Sequence, residues 1–166
     1  MLRLATSFRD FCFSDLLEVY SDSNWEKAAD WPDLPPMFAL EMAERDFREY
    51  LEDVFFRTPG AVLALWEEKG KCVSALRLEP YKDGLLLEGL ETSPVERKKG
   101  YATMMINAVQ QKLAAQGPVK LYSHVHKKNI ASLHTHKKCG FSMVCDHAVY
   151  INGNVDYRCC TVMYQA

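Results

Sequence analysis

The residues best suited to chemistry lie together, between positions 88 and 103: Glu88-Gly89-Leu90-Glu91-Thr92-Ser93-Pro94-Val95-Glu96-Arg97-Lys98-Lys99-Gly100-Tyr101-Ala102-Thr103. Glu88 and Glu91 are carboxylates that can accept a proton from a reacting group. Arg97, Lys98 and Lys99 precede a glycine and then a stretch of helical period. The first turn of a helix has free N–H groups and a positive dipole end, so this arrangement suits a pyrophosphate. Gly100 lets the backbone approach the anion, and Ala102 keeps side-chain bulk away. Neither G-x-x-x-x-G-K-S/T nor G-x-G-x-x-G is present, which excludes the two standard phosphate loops.

The histidines and cysteines offer a second kind of chemistry. His124/His126 and His134/His136 are spaced i,i+2, with Cys139 and Cys145 nearby. Such a pair shares a face on a strand and diverges on a helix, and zinc needs about four converging ligands. No metal is expected. The six cysteines include no C-x-x-C pair, and reduced, mostly buried thiols are the expectation.

These residues need elements to position them. A short strand is expected at Leu2–Ala5 and a helix from Ser7 to Tyr20. Trp31-Pro32-Asp33-Leu34-Pro35-Pro36 is a loop, and Trp25, Trp31 and Met37 are candidates for an acceptor pocket. A stronger helix is expected from Ala39 to Phe56, with Ala43, Phe47, Leu51 and Val54 as its apolar stripe. Three runs follow, 61–66, 72–78 and 85–92, joined by tight turns that include Asp83-Gly84; they predict an antiparallel meander. Alternation places Leu86, Glu88, Leu90 and Thr92 on one face of the third strand and Leu87, Gly89 and Glu91 on the other. A bulge near residue 91 would re-aim Glu91.

After Pro94 the period becomes helical, with Met105, Val109 and Leu113 at i, i+4 and i+8, until Gly117-Pro118. A strand at 119–125 completes a strand–helix–strand unit, which predicts a parallel, right-handed crossover. A short helix over 129–138 and a hairpin of 141–151 with 155–164 close the chain, turning at Asn152-Gly153-Asn154. The order implies an α/β fold, one mixed sheet flanked by helices, in a single domain spanning residues 1–166.

Composition narrows the function classes. The chain has 166 residues, 48% hydrophobic and 25% charged, with a formal net charge of −2. That balance argues against disorder and against a general affinity for nucleic acid or anionic membrane. No apolar run reaches 18 residues, and the first residues lack a signal-peptide core, so a cytoplasmic location is expected.

Arg97-x-x-Gly100-x-Ala102 resembles the acyl-CoA pyrophosphate loop of the GNAT N-acetyltransferase family. Asn129-x-x-Ser132-x-x-x-His136-x-x-x-Gly140-Phe141 resembles that family's second motif, one helix and one strand further on. The likeness covers residues 60–166, and residues 1–59 fit the variable, helical substrate side. The resemblance implies acetyl transfer from acetyl-CoA to a primary amine of a small molecule or peptide, by direct attack in a ternary complex. It implies that backbone N–H groups from Lys98 to Thr103, Tyr101 included, hold the pyrophosphate. The strand at Leu90–Thr92 would pair with the pantetheine arm and donate to the thioester oxygen, with Asn129 and Ser132 on its other side. Of the three lysine pairs, 98/99, 127/128 and 137/138, the two at helix starts are candidates for the CoA phosphates, including the 3′-phosphate.

Glu88, then Glu91, are the candidate bases. His136 stands where the family has a tyrosine that protonates the departing thiolate, so an imidazolium donor is the corresponding expectation. Many members dimerise, and a homodimer stays open. Two other classes also stay open: a non-catalytic acyl-CoA-binding sensor, and a metal-binding regulatory protein.

Overall fold

The computed structural model describes residues 1–166. Its main sheet has seven strands, in the spatial order β1 (Leu2–Ala5), β2 (Val62–Glu68), β3 (Lys71–Tyr81), β4 (Gly84–Thr92), β5 (Lys120–His126), β9 (Cys159–Gln165) and β6 (Ser142–Cys145). Strand β1 (Leu2–Ala5) pairs antiparallel with β2 (Val62–Glu68), followed by β3 (Lys71–Tyr81) and β4 (Gly84–Thr92). The expected meander is present, and its β2 and β3 strands bury apolar residues on both faces. Helix α4 (Tyr101–Ala114) crosses back to β5 (Lys120–His126), which lies parallel to β4 as the crossover predicts.

The N-terminal helical region differs from the sequence expectation. No continuous helix runs from Ser7 to Tyr20. Ser7 accepts from the Arg9 N–H, and Asp10 accepts from the N–H groups of Thr6 and Ser7, closing a single 3₁₀ turn at Phe8–Asp10. Phe11 is then extended, and α1 occupies only Ser14–Leu17. Helix α2 (Ser21–Ala28) was not expected: its sequence, SDSNWEKA, has no apolar stripe, and its buried face is Asn24 and Ala28. Helix α3 (Pro36–Asp53) begins earlier than expected because Pro36 occupies the first helical position, where its missing N–H costs nothing. Val54 falls outside the helix and is exposed, while Phe55 is buried in its place.

Two apolar clusters cover the sheet. On one face, α4 packs Met105, Ile106 and Val109 against Leu76, Leu78, Leu87 and Leu121. On the other, Leu16, Leu51 and Phe55 pack against Leu63, Leu65 and Ala75. Helix α5 (Ile130–Lys138) precedes β6 (Ser142–Cys145). The expected final hairpin is broken into two pairs. Strand β6 pairs with β9 (Cys159–Gln165), and β7 (Ala148–Val149) pairs with β8 (Val155–Asp156) in a separate ribbon. The turn at Asn152–Asn154 is as expected, with Gly153 at φ +85°. The six cysteines are all free thiols, four of them buried.

What positions the site is the short pairing of β4 with β5. It covers only Leu85–Leu87 against Leu121–Ser123. Beyond Leu87 the two strands no longer pair, and a cleft opens between them. A bulge in β4 accompanies this divergence. Arg77 lies opposite Glu88 and Ala75 opposite Glu91, so two steps on β3 span three on β4. Gly89 occupies the bulge at φ +56°, a left-handed conformation that costs a side-chain-bearing residue roughly 1 kcal/mol.

Candidate active site

The bulge decides which way the carboxylates point. Leu90 packs in the α4-side cluster beside Leu87, not on the face of Glu88 as simple alternation predicts. Glu91 is turned to the opposite side, where the Ser23 hydroxyl of α2 donates to its carboxylate. The expected re-aiming of Glu91 therefore occurs, with its origin at Gly89. Side chains from three parts of the chain secure the bulged backbone. Tyr20 Oη donates to the Gly89 carbonyl at 2.7 Å, Ser74 Oγ to the Glu91 carbonyl at 2.6 Å, and Arg97 Nε to the Thr92 carbonyl at 3.2 Å.

The cleft between the splayed strands has a volume of about 850 Å³. It is lined by β4 from Leu87 to Thr92, by the loop and first turn of α4, by β5 from Ser123 to His126, and by α5. Gly100 caps α4 at φ +85° with open space where a Cβ would stand. None of the backbone N–H groups from Lys98 to Thr103 donates to a protein acceptor. Six successive donors beside a helix N-terminus and a glycine fit a pyrophosphate.

The cations of this loop are not equivalent. Arg97 Nη2 is 2.7 Å from Asp22 of α2, so its charge is spent on holding the loop to that helix. Lys99 Nζ lies 2.6 Å from Glu96. Lys98 makes no ion pair and lines the cleft at φ +64°.

A second cavity, about 440 Å³, adjoins the first. Its aromatic walls are Tyr20, Phe47 and Tyr50, and it shares Ser23, Gly89 and Glu91 with the cleft. Trp25, Trp31 and Met37 line neither: Trp31 instead packs on Ala28, Ala39 and Ala43, while Trp25 and Met37 point to solvent. Burial raises the Glu91 carboxyl above the usual carboxylate range, against the opposing pull of the Ser23 bond. Glu79 on β3 is also raised, by burial and then by the neighbouring charge of Glu88.

Residues 17–141 match the model of the acetyltransferase (GNAT) family. The chain belongs to the GNAT acetyltransferase family. Solved structures agree on the fold. PaiA N-acetyltransferase from Thermoplasma acidophilum, in complex with coenzyme A, superposes with TM-score 0.68 at 14% identity, over 100% of this chain and 99% of that one. IAA acetyltransferase from Bacillus cereus gives 0.64 at 12%, over 100% and 99%. Ribosomal-protein-alanine N-acetyltransferase from Brucella melitensis gives 0.62 at 17%, again over 100% and 99%. No curated protein sequence matches the chain.

In this GNAT chain, α5 supplies the far wall of the cleft. Asn129 caps that helix, its Oδ1 accepting from the Ser132 N–H at 3.0 Å. His136 is 2% exposed and packs edge-on against Phe141. Its Nδ1 lies 2.8 Å from the Ser132 carbonyl, which can only accept, so the ring proton sits on Nδ1 and Nε2 carries a lone pair. That Nε2 is buried with no partner. Burial lowers the imidazole's pKa, so the ring is neutral at pH 7. An imidazolium donor, the sequence expectation, runs against this environment; the group presented is an acceptor.

The other histidines do not converge. His124 faces Thr161 and the Val149 carbonyl, and His126 accepts from the Lys128 N–H. Cys145, Asp146 and His147 bring three donor atoms within 4.8 Å, outside both cavities. No helix is long and apolar enough to cross a membrane.

Sequence reasoning missed Tyr20, Ser23, Asn24 and Arg77 as site residues. Tyr20 ends the helix expected over Ser7–Tyr20, and the sequence of α2 has no apolar period. Arg77 lay in an apolar run, where a lone cation inside a central strand was the available clue.

Proposed function

We propose that the protein transfers an acetyl group from acetyl-CoA to the primary amine of a small molecule or peptide, by direct attack in a ternary complex. The observation that carries this reading is the place of Glu91, which lines both the cofactor-sized cleft and the adjoining cavity. An amine seated in the cavity meets a carboxylate at the point where it would meet the donor. The similarity of the fold to a coenzyme A-bound N-acetyltransferase supports the same reading.

The backbone N–H groups of Lys98, Lys99, Gly100, Tyr101, Ala102 and Thr103 would hold the pyrophosphate, with Lys98 adding charge. Leu90 and Thr92 would present the β4 backbone to the pantetheine arm, and an N–H there would stabilise negative charge on the thioester oxygen. Asn129 and Ser132 border the other side. Arg97 contributes by fixing the loop to α2. Bound acetyl-CoA supplies the activated acetyl group.

An alkylammonium of pKa about 10.4 needs roughly 4.6 kcal/mol to become the free amine at pH 7. Glu91 is the proton acceptor in this reading, with Glu88 the next carboxylate along the strand. Coenzyme A, whose thiol has a pKa of about 8.5, departs as the thiolate and takes its proton from solvent. Once it is protonated, the S–H can donate to His136 Nε2.

Thiol release from acetyl-CoA in the presence of a panel of primary amines tests this. Glu91→Gln should lower kcat/KM on the order of 10²-fold while leaving the affinity for acetyl-CoA intact. Glu88→Gln should cost less than Glu91→Gln; the reverse order would move the base to Glu88. Tight acetyl-CoA binding without transfer to any amine would favour the non-catalytic sensor.

A further inference from the structure

The cavity behind Glu91 carries an unpaired positive group. Arg77, on β3, makes no ion pair within 4.0 Å and no hydrogen bond, although its guanidinium is partly buried among Tyr50, Gly89 and the β4 bulge. Its Nε is fully buried without an acceptor. Arg9, the other arginine outside every ion pair, is exposed, where water serves it. Arg77 instead lines the 440 Å³ cavity. The Tyr50 ring, 5.2 Å from the guanidinium carbon, gives the charge a cation–π contact, which leaves the buried Nε–H without an acceptor.

A second residue of the same cavity has the same deficit. Asn24 of α2 is 4% exposed, and its amide nitrogen has no acceptor. Both groups are donors, and native proteins leave few such donors unmet. Lys27 also lines the cavity but is committed to Asp30. Two carboxylates also line the cavity: Glu91, shared with the cleft at the mouth, and Asp46 of α3, on the side of Lys27. The volume is at the small end of ligand pockets, which run from roughly 300 to 1,000 Å³.

We infer that the acceptor is an amine that also bears a carboxylate, an amino acid in its simplest form, with its nitrogen at Glu91 and its carboxylate on Arg77 and Asn24. This rests on the acetyl-transfer reading and adds the substrate class. The planar guanidinium meets a carboxylate in bidentate geometry, which an ammonium cannot reproduce. Tyr20, Phe47 and Tyr50 then enclose the carbon skeleton. An amine lacking the carboxylate leaves both buried donors unmet, and unmet donors are what make a site reject an analogue strongly.

The test compares matched sets: an L-amino acid, its amide and the corresponding decarboxylated amine, across small, aliphatic and aromatic side chains. The wild-type protein should favour the free acid at least tenfold in kcat/KM. Arg77→Met should abolish that preference and Arg77→Lys should retain part of it, the change falling mainly on KM. Stabilisation by acetyl-CoA reports that each variant is folded. If Arg77→Met does not fold, Asn24→Leu provides the same comparison. Equal or better turnover of the amide or the decarboxylated amine by the wild type would overturn the inference and leave the acetyltransferase reading standing. So would an unchanged preference in Arg77→Met. Absence of transfer to every amine, with acetyl-CoA still bound, would instead defeat the underlying reading and this inference with it.

Discussion

Two residues show how a burial environment changes what a side chain can do. Glu91 needs to be ionised to accept a proton, and burial raises its pKa. The acid limb of kcat/KM should therefore lie above the ordinary glutamate value of about 4.3, and Glu91→Gln should remove it. His136 is shifted in the other direction. Its folded pKa lies below that of the unfolded chain, so the unfolded chain takes up the proton first as pH falls. The stability contributed by the neutral ring is full above about pH 6.5 and is lost as pH drops through the folded value. Thermal melts from pH 7.5 to 5 should show a steeper loss in the wild type than in His136→Met, which packs without titrating. Equal slopes would mean that His136 is no longer buried in neutral form. Glu91 was visible as a candidate from its residue type alone. The state of His136 was not, because the carbonyl that sets its tautomer and the packing that excludes water come from the folded helix and from Phe141.

At the scale of elements, the β4 bulge is the feature on which the site depends. Alternation along the strand would have placed Glu91 against α4, and the extra residue at Gly89 places it against α2. A Cβ at Gly89 would stand 3.1 Å from the Arg77 guanidinium carbon, at φ +56°. Gly89→Ala should therefore cost on the order of 1–2 kcal/mol in stability. Its loss of turnover should exceed what the fraction unfolded explains, because Arg77 must move. Denaturant melts alongside kinetics would check both; full activity would show that the bulge tolerates a side chain. The meander, the crossover and the loop before α4 were legible because turns and periodicity are local properties. Helix α2 was not, since its buried surface is Asn24 and Ala28 and its partners are on α3 and the loop after β4.

At the scale of the molecule, the cleft exists because two strands pair for three residues and then separate. Acetyl-CoA seated there should stabilise the whole domain. At 100 times its dissociation constant a ligand adds about 2.7 kcal/mol, or roughly 5–10 °C in Tm for a chain of this size. Acetyl-CoA and CoA should both give this shift, and ATP should not. Gly100→Asp should keep the fold at a cost of about 1 kcal/mol, since open space surrounds the position but φ is +85°, while losing the shift through charge repulsion with the phosphates. A retained shift would place the pyrophosphate elsewhere. The sequence by itself determined the fold class, the order of most elements, the candidate phosphate-binding loop and the two candidate carboxylates. Each of these follows from spacing along the chain, which survives without knowledge of the partners. The tertiary structure alone decided that Glu91 stands between two cavities, that His136 is neutral, and that Arg77 and Asn24 line the cavity behind Glu91. Those outcomes depend on which surfaces are removed from water, and that is settled only when α2, α3 and the splayed sheet come together.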